Sequence, residues 1–144
     1  MNSLILTTMT RVLTPLILAI SIFVLLRGHN EPGGGFIGGL LGAIAFALIE
    51  KARGVAAARR AMRIDPMVLA GIGLGCCLAG GLWGAAEYGD FLRGVWPFYE
   101  AYGLPVGSIL LFDVGVYLAV VGVVCAILFS LEEAGGEIDA EQED

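Results

Sequence analysis

Charged side chains are scarce in this sequence: they make up 15% of its 144 residues, while 58% of the residues are hydrophobic. Soluble domains usually carry about 25% charged residues. The shortage of charge leaves too little polar surface for a soluble globule of this size. It excludes a soluble globular domain and indicates an integral membrane protein in contact with lipid.

Metal-ligating and nucleophilic residues are also few. His29 is the only histidine, and the three cysteines, Cys76, Cys77 and Cys125, all lie within apolar runs. No C-x-x-C pair or Cys/His cluster has the spacing of a metal site, so we expect packing cysteines, no metal and no cofactor. His29 has no serine or cysteine placed to suggest an intramembrane protease, so we expect a chain without catalytic activity.

Four apolar runs fill most of the chain. About 20 helical residues at 1.5 Å each cross the roughly 30 Å hydrocarbon core of a bilayer. We therefore predict an all-α integral membrane protein with four transmembrane helices, at about 4–26, 32–49, 66–86 and 106–131. The first run lacks the basic start and the cleavage site of a signal peptide, so we expect it to be retained. Asp65 and Pro66 are typical of a helix N-cap and first residue.

The basic residues predict the orientation. Five of the eight lie between residues 51 and 63, and Arg11 falls on the same side, whereas only Arg27 and Arg93 lie opposite. By the positive-inside rule both termini are cytoplasmic. Topology explains this basic loop without a nucleic-acid partner, and its alanine-rich centre favours a short interfacial helix. Aromatic residues between 87 and 105 are typical of an external segment lying along the membrane.

The acidic residues concentrate at the C-terminus, where seven of the fourteen lie in residues 132–144. This stretch has no apolar period, so we expect a solvated and largely disordered cytoplasmic tail. Glu132 and Glu133 would add negative charge to a helix terminus that is already negative. Arg59, Arg60, Arg63 or a basic residue of another subunit is expected to compensate them.

The stretch from Arg27 to Gly39 is the most unusual one, because it places polar residues and glycines between two long apolar runs. Asn30 or Glu31 can cap a helix that begins near Pro32. The stretch also matches G-x-G-x-x-G, but no strand precedes it, which excludes a dinucleotide site.

Glycines at four-residue spacing predict flat helix faces for close packing in lipid. They form three sets: Gly34, Gly38 and Gly42; Gly35 and Gly39; and, in the third span, Gly71 and Gly75 with Gly80 and Gly84 on an adjoining strip. A second interpretation of the first segment is a site at the membrane edge, in which a helix N-terminus, His29 and Glu31 face an ion path or a partner subunit. The two roles can coexist.

Asp113 is the acid best placed to lie within a span. An unpaired carboxylate there would cost some kcal/mol and requires a partner or a water path. The alternative is that the apolar span begins at Val114, which leaves Asp113 among the outer headgroups.

Two segments carry a resemblance to a known family. The first is Thr14-Pro15-Leu16-Ile17 followed by Gly28-His29-Asn30-Glu31-Pro32-Gly33-Gly34-Gly35-Phe36-Ile37-Gly38-Gly39, and the second is Leu111-Phe112-Asp113-Val114-Gly115-Val116-Tyr117 with the closing Leu131-Glu132-Glu133. They resemble the MnhB family of Mrp-type multisubunit Na⁺/H⁺ antiporters, whose members are the B subunits of those complexes.

The resemblance implies a small subunit of a cytoplasmic-membrane complex that exchanges Na⁺ for H⁺, with the other Mrp subunits as partners and a role in pH homeostasis. The residues that match the family signature are His29, Pro32, Gly33, Gly34, Gly35, Phe36, Gly38, Gly39 and Asp113. Two alternatives remain: a subunit of a membrane-bound hydrogenase-type ion-pumping complex, and a self-sufficient homo-oligomeric transporter with His29, Glu31 and Asp113 in a shared pore.

Overall fold

The computed structural model describes residues 4–27, 34–90 and 107–144. All regular structure in these ranges is helical, and the helices are α1 Leu4–Arg27, α2 Gly35–Arg53, α3 Val55–Met62, α4 Pro66–Tyr88 and α5 Ser108–Glu143. Within these ranges, four helices are long and apolar enough to cross a membrane. The predicted all-α fold with four candidate spans is confirmed.

The four long helices pack side by side in the order α1, α2, α5, α4. Gly34, the N-cap of α2, contacts Val24, and Gly38 contacts Ser21, so α1 and α2 run antiparallel. On its other side α2 runs parallel to α5, because Gly35 lies at Asp113 and Gly42 lies further along at Val121. Because α4 runs antiparallel to α5, the beginning of α1 and the end of α5 lie at the same end of the row.

Small residues fill the contacts between helices, and large apolar residues point outward. The buried positions of α2 are mostly glycine and alanine, whereas Leu16, Phe23, Leu74 and Leu78 are all more than half exposed. This distribution suits lipid, where helices associate through close packing and do not hide apolar surface from water.

The charged end of the row, defined by Lys51, Arg59, Glu132 and Glu133, is closed by α3. Ala58 and Met62 of α3 are buried in a cluster with Phe129 of α5, and the Arg59 guanidinium carbon lies 5.3 Å from the centre of the Phe129 ring. The alanine-rich centre of the basic loop is thus helical. Asp65 caps α4, since its carboxylate accepts a hydrogen bond from the Met67 amide at 2.9 Å, as its sequence predicts.

Two local predictions were wrong. Residues 132–143 continue α5 as an exposed helix and are not disordered, because alanine, glutamate and glutamine extend a helix already begun in the span. The helix α2 begins at Gly35, with Gly34 as its N-cap, and not near Pro32 as predicted. Residues 28–33 and the aromatic segment 91–106 lie outside the described residues.

Candidate functional site

The two segments that carry the family resemblance meet in space, where the start of α2 packs against the start of α5. A Cβ atom built on Gly35 would collide with the carbonyl oxygen of Asp113 and would lie 2.9 Å from Cβ of Val116. A Cβ on Gly39 would lie 2.8 Å from Cβ of Val120. Only glycine allows the two backbones to approach this closely.

Tyr117 lies in the groove that the α2 glycines leave open. A Cβ on Gly38 would lie 3.3 Å from the Tyr117 ring, and one on Gly42 would lie 2.9 Å from its hydroxyl oxygen. That hydroxyl is 2.8 Å from Oγ of Ser21 on α1. Since Ser21 donates its own hydrogen to the Leu18 carbonyl at 2.7 Å, Tyr117 is the donor to Ser21. One side chain of α5 thus joins α1 through the glycine groove of α2.

The buried face of α1 is polar. Its four buried residues are Thr10, Thr14, Ser21 and Leu25. The hydroxyl oxygens of Thr10 and Thr14 are buried and have no hydrogen-bond partner among the described residues. Three hydroxyl groups of α1 thus face the rest of the chain, while its large apolar residues face outward. The contact between α1 and its neighbours is therefore partly polar.

Gly34 begins α2 with a backbone conformation that requires glycine. Its backbone dihedral angle φ is 105°, a value that residues with a Cβ atom rarely adopt. Its amide donates a hydrogen bond to the Val24 carbonyl at 3.1 Å. The run of glycines therefore combines two needs, because Gly34 supplies a backbone turn and Gly35 supplies close helix contact.

Asp113 lies beside this start of α2, in the second turn of α5, and is half-buried. Asp113 interacts with at least one other group of the chain. Phe36 points away from the rest of the chain, with 60% of its surface exposed. The predicted site residues His29, Glu31, Pro32 and Gly33 lie outside the described residues; in sequence they directly precede Gly34.

A second glycine contact joins α4 to α5. A Cβ on Gly73 would lie 2.6 Å from the Gly115 carbonyl oxygen, and one on Gly115 would lie 2.7 Å from the Cys77 amide. Gly80 packs at Ser108 and Phe112, Gly84 is buried, and Gly122 packs at Pro66 and Ala70. By contrast, no atom of residues 4–27, 34–90 or 107–144 lies within 4 Å of a Cβ on Gly71 or Gly75. Contact of that strip with another subunit stays a prediction.

The charged end contains a buried acid. The Glu50 side chain is only 3% exposed, and its Oε1 is 3.7 Å from the Lys51 ammonium. Lys51 in turn lies 2.9 Å from Oε2 of Glu132, while Arg59 contacts Glu133 at 3.0 Å. The predicted compensation of Glu133 by Arg59 is present. The partner of Glu132 is Lys51, which was not among the residues predicted.

The sequence interpretation missed several of these residues. Glu50 is not among the residues predicted from the sequence, although an acid directly after an apolar run is a signal for a helix end that can be covered by the next element. Gly73, Gly115 and Gly122 were not singled out, although Gly115 and Gly122 are seven residues apart and therefore share a helix face. Tyr117 stood in the second signature segment without an assigned role.

Comparison with known proteins identifies the family. The model of the domain related to the MnhB subunit of Na⁺/H⁺ antiporter matches residues 5–126. The B subunit of the Na⁺/H⁺ antiporter from Alkalihalophilus pseudofirmus is 33% identical over 138 residues, which cover 92% of this chain and 94% of that protein. The corresponding B subunit from Bacillus subtilis is 32% identical over 138 residues, with the same coverage.

A solved structure agrees with these relatives. A chain in the structure of the Mrp complex from Dietzia sp. DQ12-45-1b is similar to this chain, with a TM-score of 0.78 and 36% identity. The match covers 89% of this chain but only 14% of that one, so this chain corresponds to a small part of a much longer polypeptide. The chain described here belongs to the family of domains related to the MnhB subunit of the Na⁺/H⁺ antiporter.

Proposed function

We propose that this chain is the MnhB-type subunit of a multisubunit Na⁺/H⁺ antiporter of the Mrp type in the cytoplasmic membrane. The observation that carries the proposal is the match to the B subunit of an antiporter over 92% of this chain and 94% of the relative. The similarity to part of an Mrp complex supports the same assignment and favours it over a hydrogenase-type complex.

The subunit has no catalytic activity of its own and does not exchange ions alone. A self-sufficient antiporter needs buried ionisable groups that are reached in turn from both sides. Here the helices pack through glycines with backbones almost in contact, and Glu50 is the one buried charged residue among residues 4–27, 34–90 and 107–144. Such packing suits a scaffold that other subunits complete.

Both termini lie in the cytoplasm. The support is the positive-inside rule applied to the charged end, where Lys51 and Arg59 lie together with the helix that follows α2. In this orientation Gly34, Gly35 and Asp113 are at the outer half of the membrane. We assign Asp113 to the outer part of the cation path or the subunit contact beside it, and we keep His29 and Glu31, which lie shortly before these glycines in the sequence, as candidates for the same role.

The outward surfaces contact the other subunits. Phe36 and Ile37 of α2 are 60% and 48% exposed on the side of the signature segment that faces away from this chain. The strip of Gly71 and Gly75 is open along α4, and a glycine strip admits a neighbouring helix at close range. The surrounding leucines, which include Leu74 and Leu78, are available to lipid or to a partner helix.

Gentle extraction of the membrane with the chain tagged at its C-terminus tests the proposal. We expect the large subunits of a cation antiporter to co-purify, and we expect deletion of the chain to abolish Na⁺/H⁺ antiport in membrane vesicles. Co-purification of iron–sulfur or nickel-site proteins instead would contradict the assignment and support the hydrogenase-type complex.

A further inference from the structure

Glu50 is a buried acid for which neither the family signature nor the helix packing gives a reason. It directly precedes Lys51 near the C-terminus of α2. Its side chain is 3% exposed, and its Oε2 has no hydrogen-bond partner among the described residues. Burying an isolated carboxylate is costly, so such a group needs a cation, a proton or a hydrogen-bond donor close by.

Lys51 is the cation next to Glu50, but it is shared with a second acid. Its Nζ is 3.7 Å from Oε1 of Glu50 and 2.9 Å from Oε2 of Glu132, so it is hydrogen-bonded to Glu132 and only near Glu50. The side chains of Lys51 and Glu132 are 62% and 52% exposed, whereas the Glu50 side chain is buried. The arrangement is two carboxylates that compete for one ammonium group at the water surface.

The helices packed against α2 differ in the polar and charged groups that they contribute near Glu50. On α5 these are Glu132 and the buried thiol of Cys125, which is close enough to interact electrostatically with Glu50. On α3, Arg59 is occupied by Glu133 and the Phe129 ring. On α1 the inward groups are the hydroxyls of Thr10 and Thr14, and Arg11 is exposed. Lys51 is thus the cation with the shortest approach to Glu50.

We propose that Glu50 is a proton-binding site at the charged end of the chain, whose occupancy is set by competition with Glu132 for the Lys51 ammonium. The proposal rests on the proposed antiporter function for its physiological role and on the Glu50, Lys51 and Glu132 geometry for its chemistry. While Lys51 is bound to Glu132, the Glu50 carboxyl holds a proton on Oε2. When Lys51 turns to Glu50, the ammonium replaces the proton as the compensating charge.

The step is a simple proton transfer. A hydronium ion of the adjoining water donates its proton to Oε2 of Glu50 and leaves as water, while Lys51 keeps its own three hydrogens and stays with Glu132. Release reverses the transfer as the Lys51 side chain moves to Oε1 of Glu50. Since Lys51 and Glu132 are exposed, the site exchanges protons with the side of the membrane on which the charged end lies.

Infrared pH titration of the purified complex in lipid discs tests the site directly. We expect Glu50→Gln to remove one protonated-carboxyl C=O band from the pH difference spectrum. Lys51→Gln removes the competing cation and is expected to raise the midpoint of that band by roughly one pH unit. Glu132→Gln frees Lys51 to compensate Glu50, so it is expected to lower the midpoint of the same band.

Glu133→Gln is the matched control, since it removes the neighbouring acid that is paired with Arg59 and is expected to leave the midpoint in place. A carboxyl spectrum unchanged by Glu50→Gln would overturn the proposal. If that variant does not assemble, equal midpoints in the parent, Lys51→Gln and Glu132→Gln complexes would overturn it instead. The infrared band can be measured whether or not the complex transports ions. If the midpoints shift as expected but the complex shows no antiport, the proposed function is refuted and the proton-binding site is not.

Discussion

The contact between α4 and α5 predicts opposite effects of the same substitution at two positions two residues apart. In Gly73→Ala the new Cβ would collide with the Ala119 backbone nitrogen and would lie 2.6 Å from the Gly115 carbonyl oxygen, so something must shift. An ordinary van der Waals contact needs roughly 3.5 Å, so the helices must separate by at least about 0.9 Å. In Gly75→Ala the new methyl group meets no atom of the described part of the chain within 4 Å.

The size of the difference follows from two terms. Replacing a helical glycine by alanine stabilises a helix by about 1 kcal/mol, and this gain is common to both variants, so it cancels in the comparison. Overpacking costs about 1–3 kcal/mol and applies only at Gly73. We therefore expect Gly73→Ala to be about 1–3 kcal/mol less stable than Gly75→Ala.

Reversible unfolding in mixed micelles of dodecyl sulphate and a mild detergent measures this difference for the purified chain, with helicity and tryptophan fluorescence as the readouts. Gly75→Ala is expected to unfold at the same or a higher denaturant fraction than the parent chain, and Gly73→Ala at a lower one. Equal stability of the two alanine variants would refute the close packing of α4 on α5.

Three further outcomes are expected. Tyr117→Phe removes the donor to Ser21 and should lower the free energy of unfolding by about 0.5–1.5 kcal/mol in the same assay, with little added loss when Ser21→Ala is combined with it; additive losses would contradict a direct hydrogen bond. Gly38→Leu should separate α1 from α2 and reduce the amount of assembled complex on native gels, and normal assembly with normal antiport would contradict close packing there. Asp113→Asn should change the pH dependence of antiport in vesicles while assembly stays intact, whereas an unchanged profile would place Asp113 among the outer headgroups.

Local sequence patterns were sufficient to predict the four long helices and their approximate positions. Apolar runs of about 20 residues predict spans wherever they occur, and the Asp65-Pro66 pair marks the beginning of α4 because its cap acts within three residues. The same reasoning failed for the beginning of α2. There the polar residues before Pro32 resemble an N-cap, but the backbone turn occurs at Gly34, where φ is positive.

Contacts between distant segments could not be predicted from pattern alone. Four-residue spacing indicated glycine faces, but only the fold distinguishes Gly73, which lies against α5, from Gly75, which is open to the outside. The burial of Glu50 depends on how the residues after it fold back, since α3 and α5 enclose the end of α2. An acid after an apolar run marks a helix end, but whether the next element covers that end is decided by the fold.

Reconstitution into liposomes tests the central claim that this chain is one part of an antiporter and not an antiporter by itself. Vesicles containing the intact complex and vesicles containing the chain alone are each given an outward-directed Na⁺ gradient, and the internal pH is followed with a trapped dye. We expect proton uptake with the complex and none with the chain alone. Sodium-dependent proton movement through the chain alone would contradict the account.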